Sequence, residues 1–138
     1  MASTADLAGQ ALTEAVSRLS GSPRQGQTTM VERVAATIED GGHLLVQAGT
    51  GTGKSLGYLL PAMVHAVQGG ERTLVSTATL ALQRQVMTKD APLAADAVEA
   101  VTGTRPSVAL LKGWRNYVCR HRLAGGYPPE DEDALFGP

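Results

Sequence analysis

The chain is organised around one glycine-rich octapeptide, Ala48-Gly49-Thr50-Gly51-Thr52-Gly53-Lys54-Ser55. A largely apolar run precedes it at residues 43–47, and a longer one follows it at residues 56–67. The order of strand, glycine-rich loop and helix is typical of a phosphate-binding loop, in which backbone N–H groups and a helix N-terminus surround one phosphate chain. Glycine is used where the backbone must come closest to the phosphates. We therefore predict that the octapeptide binds the phosphates of a nucleotide.

The last two residues of the octapeptide have chemical roles in this prediction. Lys54 is expected to reach the β- and γ-phosphates, and the Ser55 hydroxyl is expected to bind Mg²⁺. We assign both as catalytic residues. The strict pattern has glycine at the first position, where this chain has Ala48. The alternative is a glycine-rich turn followed by a surface lysine, and the predicted strand and helix on either side argue against it.

Composition limits the class of protein. A length of 138 residues predicts one domain, and a net charge of −1 argues against a uniformly basic surface for nucleic acid. No apolar run reaches the ~18 residues of a membrane helix, and no signal peptide opens the sequence. The single cysteine rules out an internal disulfide and suits a reducing, intracellular compartment.

Apolar periodicity predicts an α/β fold with a parallel sheet. Helices are expected near residues 7–19, 22–38, 54–68, 80–87 and 94–101, and strands at 43–47, 72–77 and 107–111. Ser22 is the expected N-cap of the second helix, with Gln25 completing a capping box. Pro61 is expected to kink the third helix mildly. Two apolar faces are predicted to be buried: Leu7, Ala11, Leu12, Ala15, Val16 and Leu19 on the first helix, and Met30, Val31, Val34, Ala35 and Ile38 on the second.

Upstream of the octapeptide, Arg24 and Gln27 suggest a preference for one base. An amide side chain carries both a donor and an acceptor, which match N6 and N7 of adenine. Gln27 is therefore a candidate for selecting adenine. A solvated glutamine on a helix surface accounts for the same spacing, and the residues alone do not decide between the two.

A second candidate segment is rich in hydroxyl groups, at the end of the predicted second strand. Its polar residues continue into a helix, and they include Thr77, Thr79 and Gln83. Hydroxyl groups and helix N-termini are typical donors to nucleic-acid phosphates. A threonine-capped helix with a solvated face is the alternative, and without further information it is the better supported one.

A third candidate segment, residues 105–122, is basic and contains no acidic residue. Trp114 and Tyr117 are interleaved with its cations, an arrangement that suits contacts to phosphates and stacking on unpaired bases. A solvated charged face with a core tryptophan is the alternative. Cys119 lies in this segment, where it is either a small buried residue or a thiol whose pKa is lowered by neighbouring cations. The cations are Arg105, Lys112, Arg115, Arg120 and Arg122.

Taken together and in order, these stretches resemble the amino-terminal part of the DinG family, superfamily 2 DNA helicases related to the XPD-like iron–sulfur helicases. The resemblance covers roughly residues 22–124. It rests on Arg24 and Gln27, on the octapeptide AGTGTGKS, on STATLALQRQV with the following Lys-Asp, and on LKGWRNYVCRHRL. The last of these stretches is the most specific, because phosphate-binding loops occur in many families.

The resemblance implies a RecA-like P-loop motor domain that binds ATP and Mg²⁺. By position, Arg24 and Gln27 would contact the nucleotide, and Cys119 would be the first of four cysteine ligands of a [4Fe–4S] cluster present in the full-length protein. The implied activity is ATP-driven 5′ to 3′ unwinding of single-stranded or forked DNA in repair and replication, by a cytoplasmic, nucleoid-associated monomer with no membrane partner. The implied DNA-binding residues are Thr77, Thr79, Gln83, Lys112, Arg115 and Arg120.

Several parts of the family's pattern do not occur in these 138 residues. The acidic Asp-Glu-Ala-His type motif, the second motor domain and three of the cysteines are missing. We therefore expect a fragment that is inactive alone, with an N-terminal helix (1–21), half a motor domain (22–111), the start of a cluster insertion (112–124) and an acidic disordered tail (125–138). The alternatives are a small P-loop kinase or other metabolic ATPase, and a non-catalytic module that binds nucleotide or DNA.

Overall fold

The computed structural model describes residues 2–49 and 53–125, without the side chains of Trp114 and Arg122. The chain divides into two units, Met1–Val108 and Ala109–Pro138. Apart from Gly125, the predicted acidic tail lies outside the described residues. The helical elements are α1 (Thr4–Arg18), α2 (Gln25–Asp40), α3 (Lys54–Gly69), α4 (Leu80–Gln85), a π-helical segment (Val86–Asp90), α5 (Ala91–Thr102), a 3₁₀ turn (Trp114–Asn116) and α6 (Arg120–Leu123).

The core of the first unit is formed where α1, α2, α3 and α5 pack together. Small side chains on α1 and α5 let these helices approach closely, and larger aliphatic side chains fill the space between them. Burying this apolar surface is the main favourable term that holds the helices together. The largest fully buried side chains are Leu12, Val31, Leu60, Pro61, Val64 and Val98.

The predicted buried faces of α1 and α2 are confirmed in part. Leu7 is partly buried against the core, whereas Leu19 is 63% exposed because α1 ends at Arg18 and Leu19 is its C-cap. On α2 only Val31 and Ala35 of the predicted face are buried. The other three α2 residues line an open cavity of about 460 Å³, together with Leu44, Val46 and Tyr58 of neighbouring segments; they are Met30, Val34 and Ile38. The α1 residues confirmed as buried are Ala11, Leu12, Ala15 and Val16.

Helix α3 starts directly after Gly53, as the sequence predicts, and ends at Gly69, one residue beyond the predicted end. The following Gly70 has a φ of +65°, which lets the chain leave the helix in the left-handed conformation. Pro61 lies inside the helix and is buried. Among the residues described, no helix combines the length and the apolar character that spanning a membrane requires.

The predicted break between two helices around Pro92 is wrong. Helical backbone runs from Leu80 through a π-helical segment into α5 without interruption. Pro92 has no N–H group, and its ring excludes the carbonyl four residues earlier, at Thr88. The wider π turn lies immediately before this proline, and Gln85 Nε2 donates to Asp90 Oδ2 across it (3.1 Å). The proline therefore changes the local helical geometry here without ending the helix.

The parallel sheet predicted from the sequence is not seen in the described part of the chain. Residues 43–47, 72–77 and 107–111 contain no helix, and no strand is assigned to them. A strand requires a hydrogen-bonded partner, and the apolar side chains of these segments are exposed instead of being covered on both faces. Leu45, Leu74 and Leu111 are the most exposed of them.

Polar contacts fix both ends of α1 against its neighbours. Near its start, the Thr4 amide donates to Glu39 Oε1 (3.0 Å) and the Thr4 hydroxyl donates to Gln68 Oε1 (3.2 Å), which joins α1 to the last turns of α2 and α3. Near its end, Arg18 contacts Asp96 of α5 at 3.8 Å. Asp96 also pairs with Arg105 at 2.6 Å, so α1, α5 and the segment after α5 share one exposed ion-pair cluster.

The Thr4 contact predicts a specific pH dependence of stability. Hydrogen bonding from Thr4 holds the pKa of Glu39 below its ordinary value of 4.5. A carboxyl group with a lowered folded-state pKa stabilises the fold above the unfolded-state pKa, and this contribution is lost as the pH falls through the folded-state pKa. We expect Glu39→Gln to make the melting temperature fall less steeply below about pH 4.5.

The measurement is thermal unfolding of the 138-residue chain at a series of acidic pH values. Glu32→Gln is the matched control, because Glu32 is an exposed carboxylate on the same helix. If Glu39→Gln and Glu32→Gln change the pH profile equally, the Thr4 contact does not contribute to acid sensitivity.

Candidate nucleotide-binding site

The site is built at the N-terminus of α3. Gly53 is the N-cap and has φ 73° and ψ 33°, a left-handed conformation that residues with a Cβ rarely adopt. It ends the octapeptide's loop and directs the chain into the helix at Lys54. The N–H groups in the first turn of a helix have no intrahelical partners and carry the positive end of the helix dipole. This end of α3 is therefore suited to an anion such as a phosphate group.

The Lys54 side chain folds back over the beginning of the loop. Its ammonium group donates to the carbonyl oxygens of Ala48 at 3.0 Å and Gly49 at 2.5 Å. The amine is thus held beside the loop that is predicted to bind phosphates. The next residue in the chain, Ser55, is half-buried. The middle of the predicted loop, namely Thr50, Gly51 and Thr52, lies outside the described residues.

Gln27 reaches this site from α2. That helix begins at Gln25 with Arg24 as its N-cap, so the predicted cap at Ser22 is wrong. The reason is that Gln27, three residues after Arg24, binds the backbone of the cap residue: its Oε1 accepts from the Arg24 amide at 3.2 Å. Gln27 is 9% exposed, and its amide packs against Gly53. It is therefore not a solvated surface residue, and the candidate nucleotide-binding residues on α2 and at the start of α3 are adjacent.

The contact between Gln27 and Gly53 is the part of the site that the sequence prediction missed. A Cβ on Gly53 would lie 3.0 Å from Gln27 Cδ and even closer to Nε2. One turn further on, a Cβ on Gly57 would lie 2.7 Å from Met30 Sδ. The signal available in the sequence was Gly57 itself, a glycine inside a predicted helix, which often marks a close approach of another element.

The predicted DNA-contacting residues of the first unit lie at the start of α4. Thr79 is the N-cap, and its hydroxyl accepts from the Leu82 amide at 3.1 Å. The Thr77 hydroxyl donates to the Thr79 carbonyl at 3.4 Å, and Gln83 is half-buried on the helix. The capping contact agrees with the alternative of a threonine-capped helix, although a hydroxyl that accepts one hydrogen bond can still donate another. DNA contact by these residues remains a prediction.

The predicted DNA and cluster residues of the second unit are exposed. Lys112, Arg115 and Arg120 have exposed side chains, and Cys119 is an exposed free thiol. Tyr117 closes the preceding loop, because its hydroxyl accepts from the Lys112 amide at 2.8 Å. No group of three or more His, Cys, Asp or Glu side chains that could hold a metal ion is found among the described residues.

Comparison with known proteins gives the family. The model of the DEAD/DEAH box helicases matches residues 24–117, most of the chain. The chain belongs to the DEAD/DEAH box helicase family. This membership implies a RecA-like P-loop fold, and the matched region contains Gln27, the octapeptide and the α4 segment.

Individual proteins are also similar to the chain. The ATP-dependent helicase DinG of Mycobacterium tuberculosis is 47% identical over 119 residues, which cover 86% of this chain and 18% of that protein. The ATP-dependent DNA helicase YoaA of Escherichia coli is 42% identical over 78% of this chain and 16% of its own length. The 3′-5′ exonuclease DinG of Bacillus subtilis is 33% identical over 80% of this chain and 11% of its own length.

These relatives confirm the resemblance to the DinG family within the DEAD/DEAH box helicases. The chain spans less than a fifth of the length of each relative named above. No solved structure gives a significant match.

Lys54 provides a direct test of the site. We expect Lys54→Ala to weaken ATP binding, because losing a charge-assisted phosphate contact costs about 1.5–3 kcal/mol, or about ten- to a hundredfold in affinity. Calorimetric titration of the 138-residue chain with MgATP measures this change. Lys89→Ala is the control, since Lys89 is an exposed lysine on the π-helical segment. Equal ATP affinity in the Lys54→Ala and unaltered chains would contradict the assignment.

Proposed function

We propose that this chain carries the ATP-binding part of an ATP-dependent DNA helicase of the DinG type. The similarity to proteins named ATP-dependent helicase DinG and ATP-dependent DNA helicase YoaA supports this class of activity. The observation that carries the proposal is the adjacency of three groups at one helix end: the left-handed Gly53, the Lys54 ammonium group over the loop, and the buried Gln27 amide.

In this proposal the nucleotide phosphates occupy the N-terminus of α3. Backbone N–H groups and the helix dipole would bind the phosphate oxygens, and the Lys54 side chain would move from the loop carbonyls to the β- and γ-phosphates. Ser55, one residue further along α3, would supply a hydroxyl ligand to the Mg²⁺ that accompanies ATP. Arg24 and Gln27 would lie on the adenine side, where the Gln27 amide reads the base.

The proposed nucleic-acid partner is single-stranded or forked DNA. Thr77, Thr79 and Gln83 would contact the strand with hydroxyl and amide groups from the start of α4. The exposed cations Lys112, Arg115 and Arg120 would contact phosphates from the second unit. We extend to the longer protein the 5′ to 3′ polarity, the monomeric state and the cytoplasmic, nucleoid-associated location that its family resemblance implies.

A [4Fe–4S] cluster is proposed only for a longer protein. Such a cluster requires four cysteine ligands, and the 138 residues contain one cysteine. The residues of this chain therefore do not fit a complete cluster site, and no step of the proposed function depends on one. The exposed thiol of Cys119 is available as one ligand of a set that other residues would complete.

Adenine selection tests the proposed role of Gln27. We expect Gln27→Ala to reduce the preference for ATP over GTP by about five- to a hundredfold, because a bidentate base contact is worth about 1–3 kcal/mol of discrimination. The measurement is competitive titration with both nucleotides. Gln25→Ala is the matched control, since Gln25 is an exposed glutamine in the same helical turn. An unchanged ATP/GTP ratio would show that Gln27 does not read the base.

Turnover separates the helicase proposal from a self-sufficient ATPase or small kinase. Phosphoryl transfer requires a positioned metal, a positioned nucleophile and a cation that stabilises the transition state. The acidic Asp-Glu-Ala-His type motif does not occur in these 138 residues. We therefore expect the chain to bind ATP without hydrolysing it at helicase rates, measured as phosphate release with and without single-stranded DNA, whereas a self-sufficient ATPase would release phosphate in both assays. DNA-stimulated turnover by the 138-residue chain would contradict this expectation.

A further inference from the structure

Helices α2 and α3 approach each other through two glycines and two longer side chains. On α3, Gly53 and Gly57 are one turn apart, and on α2, Gln27 and Met30 are one turn apart. Gln27 packs against Gly53, and Met30 packs against Gly57. A Cβ added to Gly57 would lie 2.7 Å from Met30 Sδ, 3.0 Å from Cγ and 3.4 Å from Cβ. The glycines thus form a notch in α3 that receives the side chains of α2.

The backbone conformation does not explain the glycine at position 57. Unlike Gly53, Gly57 has ordinary helical backbone inside α3, and a glycine there weakens the helix relative to alanine. Gly57 also lies four residues before Pro61, whose ring crowds the Gly57 carbonyl. Two explanations are therefore available for this glycine, the approach of Met30 and the presence of Pro61, and a compensating substitution of Met30 separates them.

We propose that Met30 and Gly57 form a spacer that sets the position of α2 on α3, so that Met30 is a positioning residue for base selection. This inference rests on the proposed function, in which Gln27 reads adenine and α3 binds the phosphates. Met30 does not touch the nucleotide in this arrangement. It acts through Gln27, because the two side chains are on adjacent turns of the same rigid helix and both pack into the notch.

The spacer is expected to affect recognition of the base more than binding of the phosphates. Base reading by an amide requires donor and acceptor distances within a narrow range, so a displacement of α2 by a fraction of a helical turn removes it. In the proposed function, phosphate binding depends on the loop, on Lys54 and on the unpaired N–H groups at the start of α3, all of which precede Gly57 in the chain. Changing the spacer is therefore expected to alter selectivity while leaving the affinity for bare phosphates intact.

The test adds side-chain atoms on α3 and removes the same number from α2. Gly57→Val adds three carbon atoms at the contact, Met30→Ala removes three heavy atoms from it, and the double variant restores their number. Gly9→Val is the matched control, since Gly9 lies inside α1 and a Cβ there would have no atom within 4 Å. Each variant of the 138-residue chain is titrated with MgATP, MgGTP and inorganic tripolyphosphate, a probe that has phosphates and no base.

We expect Gly57→Val to lower the ATP/GTP affinity ratio by about fivefold or more, the lower limit for losing a bidentate base contact, with tripolyphosphate affinity within about twofold of the unaltered chain. Adding Met30→Ala to Gly57→Val should restore the ratio, and Gly9→Val should not change it. If the double variant is as unselective between ATP and GTP as Gly57→Val, then Pro61 or the helix backbone is the reason for a glycine at position 57. The proposal that Met30 and Gly57 form a spacer would then be wrong.

The remaining outcomes are also decisive. If Gly57→Val weakens all three ligands equally, the contact supports the fold only and has no positioning role. If the unaltered chain prefers ATP and Gly57→Val keeps that preference, the spacer is wrong while the proposed function stands. If the unaltered chain binds no nucleotide, the proposed function fails and the positioning role fails with it.

Discussion

The candidate nucleotide site depends on the backbone of Gly53. Its left-handed conformation turns the chain from the octapeptide into α3, so that the first N–H groups of the helix and the Lys54 side chain face the same loop. The missing Cβ has a second consequence, because the Gln27 amide packs where that atom would be. A substitution at this position would therefore disturb both the direction of the helix and the packing of Gln27, the candidate residue for base selection.

Helix packing holds this turn in place. The buried side of α3, with Leu60 and Val64 at its centre, packs against α1, α2 and α5. Thr4 joins the start of α1 to the last turns of α2 and α3 through Glu39 and Gln68, far along both helices from the nucleotide end. The two helices that carry the candidate nucleotide residues are thus fixed to each other at both ends: by the glycine notch near the site, and by α1 at the other end.

The sequence could predict a structural feature when neighbouring residues determine it, and not when residues distant in the chain determine it. The bounds of α3 follow from an apolar run between glycines, and they are confirmed to within one residue. The start of α2 was wrong, because Ser22 fits a general capping pattern while the actual cap pairs Arg24 with Gln27. The contact between Gln27 and Gly53 joins residues that are distant in sequence, so no local pattern contains it. The predicted strands are not seen in the described residues, and a strand requires a partner that local periodicity does not supply.

The exposed apolar side chains of the three predicted strand segments have a further implication for the site. Leu45 lies three residues before Ala48, the first residue of the octapeptide, and it is fully exposed, while Leu56 directly after the octapeptide is packed in the core. The loop therefore connects an uncovered segment to a well-packed helix. Gln27, Gly53 and Lys54 all lie on or beside packed helices, so helix packing positions these three candidate groups. The packed helices on the C-terminal side of the loop thus hold these candidate residues in place, at the glycine notch beside the core of the first unit.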